Sequence, residues 1–372
     1  MTETTEATIL TPVAAFQKDI FDHESAKSAY HRLLLAFGNE YSPEIIILTG
    51  PTGVGKSTVT TAVGKFIRDR HEAQLKAERD FVPVVAHRAV PPTSGNFDWK
   101  DFYIRLLSSQ GEPFSDRKLY VPSQMPLLPD GLSTDHLERS VTNRLRRSVE
   151  EYLRRRRTKL LILDEAHHLL MVNSGHRLEC QFETLKSLAL ETGVTILLSG
   201  IYSLLNILRH SGQLTRRSQV VDFARYDMRI KADAENFQSA LLYMEYVLSA
   251  HVPARLSIDV DYFYQKSLGC VGILKDWMTR CLDHALQENV RLIDAKYANR
   301  FALPNRGLMR ILEEAVWGEA ELADVGDDQL QDLLKHGLLS ASEEKPDGMI
   351  RRKPGKRMPK RDPVGRGDHA GK

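Results

Sequence analysis

The chain has 372 residues, enough for roughly two or three domains with cores of their own. Hydrophobic residues make up 42% and charged residues 27%, as is typical of globular proteins, and no apolar run approaches the ~20 residues of a membrane span. The acidic, polar first residues do not form a secretory signal, and Cys180, Cys270 and Cys281 lack metal-ligand spacing. We therefore expect a cytoplasmic protein without a zinc site or a disulfide framework.

The net charge of +2 is distributed unevenly along the chain. Residues 345–372 hold 10 Lys and Arg against 3 Asp and Glu, a net charge of +7, which leaves −5 for residues 1–344. Composition predicts that this basic tail is disordered. Residues 1–344 have a net negative charge. If they contact nucleic acid, they must therefore do so through a local basic patch.

The first segments lead into a phosphate-binding loop. Residues 1–12 have a disordered composition, and residues 13–40 show helical patterns that we expect to pack beside the ligand of the loop. Residues 45–48 are an apolar run typical of a buried strand, and Gly50, four residues, then Gly55, Lys56 and Ser57 follow, with a helix predicted over residues 56–70. Strand, loop and helix in this order are the context that confirms the motif.

Each residue type in this loop has a chemical role in binding phosphate. Glycines allow several backbone N–H groups to point at one phosphate cluster, and the helix adds its positive N-terminal end. Lys56 would reach the outer phosphates, and the Ser57 hydroxyl would ligate Mg²⁺. The predicted nucleotide-binding residues are Gly50, Pro51, Thr52, Gly53, Val54, Gly55, Lys56, Ser57 and Thr58.

The next stretch contains a second predicted strand at residues 81–90 and a helix at residues 98–109. Prolines and glycines predict an irregular loop over residues 110–133, and long loops are often functional. Arg117 and Lys118 in this loop, with Lys100 nearby, are candidates for contacts to a DNA backbone; solvated surface charge is the alternative. The amphipathic helix at 135–157 ends in four arginines, which either favour the helix C-terminus or form a DNA-contacting patch.

Two carboxylates follow the apolar strand at residues 160–163. Asp164 and Glu165 stand at its carboxyl end, where ligands lie in an open α/β sheet. Asp164 would hold the magnesium shell and Glu165 would polarise the attacking water. His167 and His168 have no third metal ligand nearby, which favours a packing or switch role.

Further strands and helices complete the pattern. A helix is predicted at 175–191, a strand at 194–200 that ends near Ser199, a short helix at 201–210, and a strand at 219–223 preceded by Arg216 and Arg217. Alternating strands and helices predict an α/β fold with a parallel sheet flanked by helices. Residues 231–320 show only helical patterns. The predicted division is an N-terminal helical extension (1–40), an α/β domain (41–230), a small helical domain (231–320), and an acidic linker with the basic tail (321–372).

These motifs resemble the AAA+ ATPases, and within them the TniB/TnsC group of transposition regulators. The resemblance rests on residues 49–58, 163–169, 197–200, 213–217 and 272–277, and on residues 360–365 of the tail. It covers roughly residues 25–320 and the tail.

The resemblance implies ATP with Mg²⁺ as the cofactor and hydrolysis to ADP and phosphate. Ser199 would be the polar sensor at the end of the fourth strand, and Arg217, or else Arg216, the finger that reaches a neighbouring subunit's γ-phosphate. Lys275 would be the second sensor, in the helical lid, although many AAA+ proteins have Arg there. The family implies a prokaryotic, nucleoid-associated homo-oligomer on double-stranded DNA, a ring or filament of about six or seven subunits per turn. It would connect a target-selection protein or RNA-guided complex to a transposase.

Other classes share some of these motifs. Residues 164–167 also spell a helicase box, but residues 231–320 cannot supply the second RecA-like domain of a superfamily-two helicase. A secretion or signalling AAA+ adaptor that gates proteins without DNA, and a loader of a replicative helicase, remain as alternatives. The secretion type usually carries a membrane segment or a peptidoglycan module, and the sequence shows neither.

Overall fold

The computed structural model describes residues 11–38, 44–93, 95–111, 134–172, 175–206, 208, 218–324 and 326–336. The chain divides into two compact units, Met1–Leu322 and Ala323–Lys372. Several predictions lie outside the described residues: the disorder of residues 1–10, Arg117 and Lys118 in their loop, the pair Arg216 and Arg217, and the basic tail.

The elements follow the predicted alternation. The strands are β1 (Ile45–Thr49), β2 (Val84–Arg88), β3 (Leu160–Asp164), β4 (Thr195–Gly200) and β5 (Ser218–Asp222). The helices of the α/β part are α1 (Pro12–Lys18), α2 (Glu24–Gly38), α3 (Lys56–Arg70), α4 (Glu72–Ala77), α5 (Trp99–Ser109), α6 (Thr134–Arg155) and α7 (Gly175–Thr192). The later helices are α8 (Lys231–Ser249), α9 (Val260–Ser267), α10 (Val271–Gln287), α11 (Ala295–Ala298) and α12 (Asn305–Leu322), with α13 (Asp327–His336) in the second unit.

The five strands form one parallel sheet in the order β2-β3-β4-β1-β5, which confirms the predicted α/β class. Leu48 of β1 is aligned with Ser199 of β4, and Leu163 of β3 is aligned with Leu198. Because all strands run the same way, the residues that follow β1, β3 and β4 meet at one edge of the sheet. The phosphate loop and the two carboxylates therefore lie together.

Side chains of the sheet alternate between two apolar layers. Ile45 and Ile47 face a core shared with α5, α6 and α7, whereas Ile46 and Leu48 face a core shared with α2 and α3. Because both faces of β1 are buried, the strand is an uninterrupted apolar run rather than an alternating one. This buried strand fixes the position of the loop that follows it.

The helices after residue 230 have a core of their own. Its centre is Trp277, fully buried, whose Nε1 donates to the carbonyl oxygen of Ala298 at 2.8 Å. Phe16 of α1 is buried in this same core, whereas Leu33 of α2 packs in the layer beneath the sheet. The N-terminal segment thus contacts both the core of the later helices and the core between the sheet and helices α2 and α3. The domain boundaries predicted from the sequence remain predictions.

The helix predicted over residues 56–70 has these bounds in α3, and the separate α4 begins after His71. The His71 Nδ1 hydrogen-bonds with the Ile67 carbonyl oxygen at 2.9 Å, which competes with continuation of the helix. Where a helix over 201–210 was expected, the chain first makes a 3₁₀ turn, Tyr202–Leu205. In the described ranges no helix is long and apolar enough to cross a membrane.

Candidate nucleotide-binding and ATPase site

The phosphate loop has the backbone geometry that the motif requires. Gly55, the N-cap of α3, has φ +112°, which glycine adopts without the penalty of a side chain. A Cβ at Gly50 would overlap the carbonyl group of Phe223, so only glycine allows β1 to turn beside the end of β5. The loop therefore brings backbone N–H groups and the α3 N-terminus to one point, as anion binding needs.

The Lys56 ammonium lies within this loop. It donates to the carbonyl oxygens of Gly50 at 2.9 Å and Pro51 at 2.8 Å. Burial lowers the pKa of Lys56 to about 8, and the carboxylate of Glu165 opposes that shift. A buried cation with only carbonyl partners is stabilised further by an anion, so this position suits a phosphate.

Ser57 and Asp164 meet although 107 residues separate them. The Ser57 hydroxyl donates to Asp164 Oδ2 at 2.8 Å, and Asp164 Oδ1 accepts from the backbone N–H of Glu165 at 3.0 Å. A hydroxyl and a carboxylate are the oxygen ligands that Mg²⁺ prefers, and this ion when bound would neutralise phosphate charge. The two residues named from the sequence therefore fit a shared magnesium site.

Glu165 has an unusual backbone conformation, which sets the direction of its side chain. Its φ of +53° lies in the left-handed region, which is strained for a residue with a side chain. Its carboxylate is 3.4 Å from His167 Nδ1 and 3.7 Å from a guanidinium nitrogen of Arg88. Burial, and secondarily the neighbouring His168, lowers the pKa of His167, so this imidazole is neutral at pH 7 and leaves Glu165 free to accept a proton.

Arg88 is a residue of the site that no sequence motif indicates. It is the last residue of β2, and β2 pairs with β3 so that Arg88 is aligned with Asp164. Only the strand order reveals this neighbour, since β2 carries no motif of its own.

Two hydroxyls at the edge of the sheet are buried without a protein partner. Ser199 and Thr49 are both 0% exposed, and their Oγ atoms find no hydrogen-bond partner in the part of the chain that the structure describes. Buried polar atoms nearly always have a hydrogen-bond partner, and where the protein provides none, water or a ligand does. Ser199 thus has the polar capacity expected of a sensor beside the phosphates.

The helical region touches the phosphate loop directly. The backbone N–H of Ile273, in the first turn of α10, donates to the Gly53 carbonyl oxygen at 3.2 Å. Gly272 lies against the backbone of Gly53, where a Cβ would overlap the carbonyl oxygen. The start of α10 therefore forms one wall of the phosphate site, together with Ile201.

Replacing Gly272 with alanine is expected to lower the free energy of unfolding by about 1–3 kcal/mol, because the new methyl group displaces the backbone of Gly53. The matched control is Gly307→Ala in α12, where no atom lies within 4 Å of the added Cβ. That variant should be neutral or more stable by up to ~1 kcal/mol. Urea unfolding of both variants measures the difference, and equal stabilities would contradict the close contact.

Lys275, the second sensor that the resemblance implies, lies in α10 and lines a cavity beside the phosphate loop. Its amine donates to the carbonyl oxygens of Gln17, at 2.9 Å, and of Asp19. Lys275 therefore joins α10 to the end of α1 here, and it is absent from the wall of the phosphate site. Its role toward nucleotide remains a prediction, as does the DNA role of Lys100, half-buried in the first turn of α5.

A cavity of about 470 Å³ lies beside the loop. Its walls come from residues 20–31, from the loop and first turns of α3, from Phe223 and from the start of α10. The volume and apolar walls suit a nucleoside whose phosphates extend into the loop. The sequence predicted that residues 13–40, with Phe21 and Tyr30 among them, pack beside the nucleotide. Phe223 was not identified as part of this wall, because it lies 193 positions beyond Tyr30 in the chain.

Comparisons with known proteins find one family model and several distantly similar structures. Residues 39–208 match the family model AAA_22, described as an AAA domain. The solved Walker-type ATPase PABY2304 of Pyrococcus abyssi is 19% identical, with a TM-score of 0.43 over 82% of this chain and 76% of that one. The Aeropyrum pernix ORC2 protein is 14% identical, with a TM-score of 0.45 over 82% and 68%.

Domain III of the Thermotoga maritima replication initiation protein DnaA is 12% identical, with a TM-score of 0.45 over 78% of this chain and 97% of that one. Structures with such low identity and TM-scores do not indicate the activity of this chain. No curated protein sequence matches the chain significantly. The matched AAA domain and the phosphate-site geometry lead to one conclusion: the chain is an ATPase with the AAA+ P-loop fold.

Proposed function

We propose that this ATPase assembles with bound ATP on double-stranded DNA and regulates transposition. The assembly would connect a target-selection protein or RNA-guided complex to a transposase, which it recruits and activates. ATP hydrolysis would then disassemble it. The sequence motifs at residues 163–169, 197–200, 213–217 and 272–277, and the basic tail, support this proposal through their resemblance to the TniB/TnsC group.

The position at which β5 begins supports the proposal that subunits share an active site. Ser218, the residue after Arg217, is aligned with Ile45 at the start of β1, whereas the phosphate loop follows the other end, Thr49. Four residues of strand span ~13 Å. Ser218 therefore lies far from the phosphate loop of its own chain, and β5 is an edge strand of the sheet. A finger from this position would act between subunits.

The DNA part rests on charge. Residues 345–372 carry a net charge of +7 and contain no sequence-reading motif, so we expect contacts to phosphates with a steep salt dependence. Lys100, Arg117 and Lys118 are further candidates for backbone contacts.

Electron microscopy tests the proposal most directly. The purified chain is imaged with Mg²⁺ and a slowly hydrolysed ATP analogue, with and without a duplex of about 60 base pairs (~200 Å of DNA). Rings or filaments that need both nucleotide and duplex are the expected result. Nucleotide-dependent rings that ignore DNA would contradict the DNA role and favour a protein-gating adaptor. A persistent monomer would contradict the shared site.

Arg217→Ala is expected to lower ATPase activity about 100-fold or more, because an arginine finger stabilises the charge of the transition state. The nucleotide affinity of the monomer should stay within about twofold, since the finger belongs to a neighbour's site. Steady-state ATPase assays and equilibrium nucleotide titrations measure the two quantities.

A mixing experiment separates a shared site from a local one. Arg217→Ala chains keep Glu165, and Glu165→Gln chains keep Arg217, so alternating subunits form some complete sites. Activity should therefore reappear when the two inactive chains are mixed. Arg216→Ala, mixed in the same way, tests which arginine is the finger. Mixtures of both kinds that stay inactive would contradict an active site between subunits.

A further inference from the structure

The cavity beside the phosphate loop contains one polar ring among aromatic ones. His23 is 6% exposed and lines the cavity together with Phe21 and Phe223. Its ring is stacked with those of Phe21, at a centroid distance of 5.7 Å, and Phe223, at 6.0 Å. Burial of an imidazole among apolar rings is costly unless its nitrogens have specific partners, so the hydrogen bonds of His23 decide whether this position is stable.

Tyr226 determines which nitrogen of His23 carries hydrogen. The Tyr226 hydroxyl oxygen accepts from the backbone N–H of Ser25 at 3.2 Å. Among the described residues, the other polar atom within hydrogen-bonding distance of this hydroxyl is His23 Nδ1, at 2.9 Å, so the hydroxyl hydrogen is directed to it. With Nδ1 as an acceptor, the hydrogen of a neutral imidazole lies on Nε2.

The imidazole is neutral under ordinary conditions. Burial lowers the pKa of His23 to about 4, the carboxylate of Asp22 offsets part of this shift, and Lys27 adds to it. Nε2 has no hydrogen-bond partner among the described residues, and it is not sealed from solvent as the orphaned buried atoms are. His23 thus offers the cavity an N–H donor of fixed tautomer.

We propose that His23 donates its Nε2 hydrogen to N1 of the nucleobase and makes this site select adenine over guanine. Adenine N1 is an acceptor, whereas guanine N1 carries a hydrogen that would meet the donor head on. A buried donor facing a donor leaves both unsatisfied, which discriminates more strongly than a missing methyl group does. The apolar walls of the cavity would hold the base without distinguishing the two purines.

The inference rests on the ATPase assignment and not on DNA or transposition. Its test therefore uses the full-length chain without DNA, and it reads equilibrium binding of ADP and GDP by calorimetry rather than turnover. The wild-type chain should prefer ADP, and His23→Phe should weaken ADP binding about three- to tenfold while abolishing the preference. His23→Gln, whose amide can donate from a similar position, should retain part of it.

Two measurements make the result specific to the base. Inorganic tripolyphosphate, which has no base, should bind wild-type and His23→Phe chains equally if the phosphate loop is intact. 1-Deaza-ADP, which lacks the N1 acceptor, should bind wild-type protein about three- to tenfold more weakly than ADP, but bind His23→Phe as well as ADP does.

Tyr226→Phe addresses the tautomer while leaving His23 in place. Without the hydroxyl, both tautomers of His23 become populated, and the preference for ADP should fall between those of the wild type and His23→Phe. Wild-type protein that binds 1-deaza-ADP and ADP equally would overturn the proposal, even if His23→Phe fails to fold. An unchanged ADP preference in folded His23→Phe would overturn it as well.

Discussion

Replacing Lys56 with alanine is expected to abolish nucleotide binding, with the affinity for ADP falling about 100-fold or more. The ammonium is buried beside Gly50 and Pro51, to whose carbonyl oxygens it donates, and with nucleotide bound it would donate two charge-assisted hydrogen bonds to phosphate instead. Each such bond contributes about 1.5–3 kcal/mol, so the loss of two corresponds to at least a hundredfold. Calorimetric titration with ADP measures the effect without the complication of hydrolysis.

A matched control lies on the same helix. Lys65 is exposed on α3, so Lys65→Ala removes the same charge at a distance from the loop and should leave ADP affinity within about twofold. Tight binding by Lys56→Ala would contradict the assignment of the phosphate loop itself. A loss in both variants would point to a general effect of charge rather than to a contact.

The pH dependence of binding follows from the same burial. Lys56 of the free protein has a pKa of about 8, and bound phosphate favours the charged form, so the pKa rises in the complex. Above pH 8, binding must therefore take up a proton, and ADP affinity should fall by up to tenfold per pH unit until the pKa of the complex is reached. Lys65→Ala, which leaves the buried ammonium in place, should keep this part of the pH profile, as calorimetric titrations with ADP at about pH 7 to 10 would measure.

The sequence predicted the elements whose signals are local. The strand at residues 45–48 is apolar because both its faces are buried. Gly55 followed by Lys56 indicates the start of a helix, so α3 was predicted with its observed bounds. Asp164 and Glu165 could be assigned because a carboxylate pair directly after a buried strand stands at the sheet edge where a ligand binds. In each case neighbours in the sequence decide the conformation.

Contacts that depend on strand order or on distant segments could not be predicted in this way. Arg88 is a neighbour of Glu165 because β2 pairs with β3, and no residue of β2 indicates its partner. His23 and Tyr226 are 203 residues apart, and each alone is an ordinary buried side chain. Lys275 matched a motif, yet its amine reaches the carbonyl oxygens at the end of α1. Long-range packing, rather than local preference, determines these positions.

Glu165→Gln is expected to bind ATP with an affinity within about twofold of the wild type and to lower the hydrolysis rate about 10²–10⁴-fold. The amide keeps the size of the side chain and its place beside Arg88 and His167, but it cannot accept a proton from water. Because ATP stays bound, the proposed assemblies on DNA should persist longer for this variant than for the wild type. Phosphate release and electron microscopy with ATP and duplex measure both effects.

Asp164→Asn distinguishes the proton acceptor from the magnesium ligand. Asp164 accepts from the Ser57 hydroxyl at 2.8 Å, so its loss of charge should weaken Mg²⁺ binding, and a raised Mg²⁺ concentration should restore part of the activity. Glu165→Gln lacks only a base, which no concentration of metal can replace. Hydrolysis at the wild-type rate by Glu165→Gln would exclude Glu165 as the base, and recovery of that variant with Mg²⁺ would assign it to the metal instead.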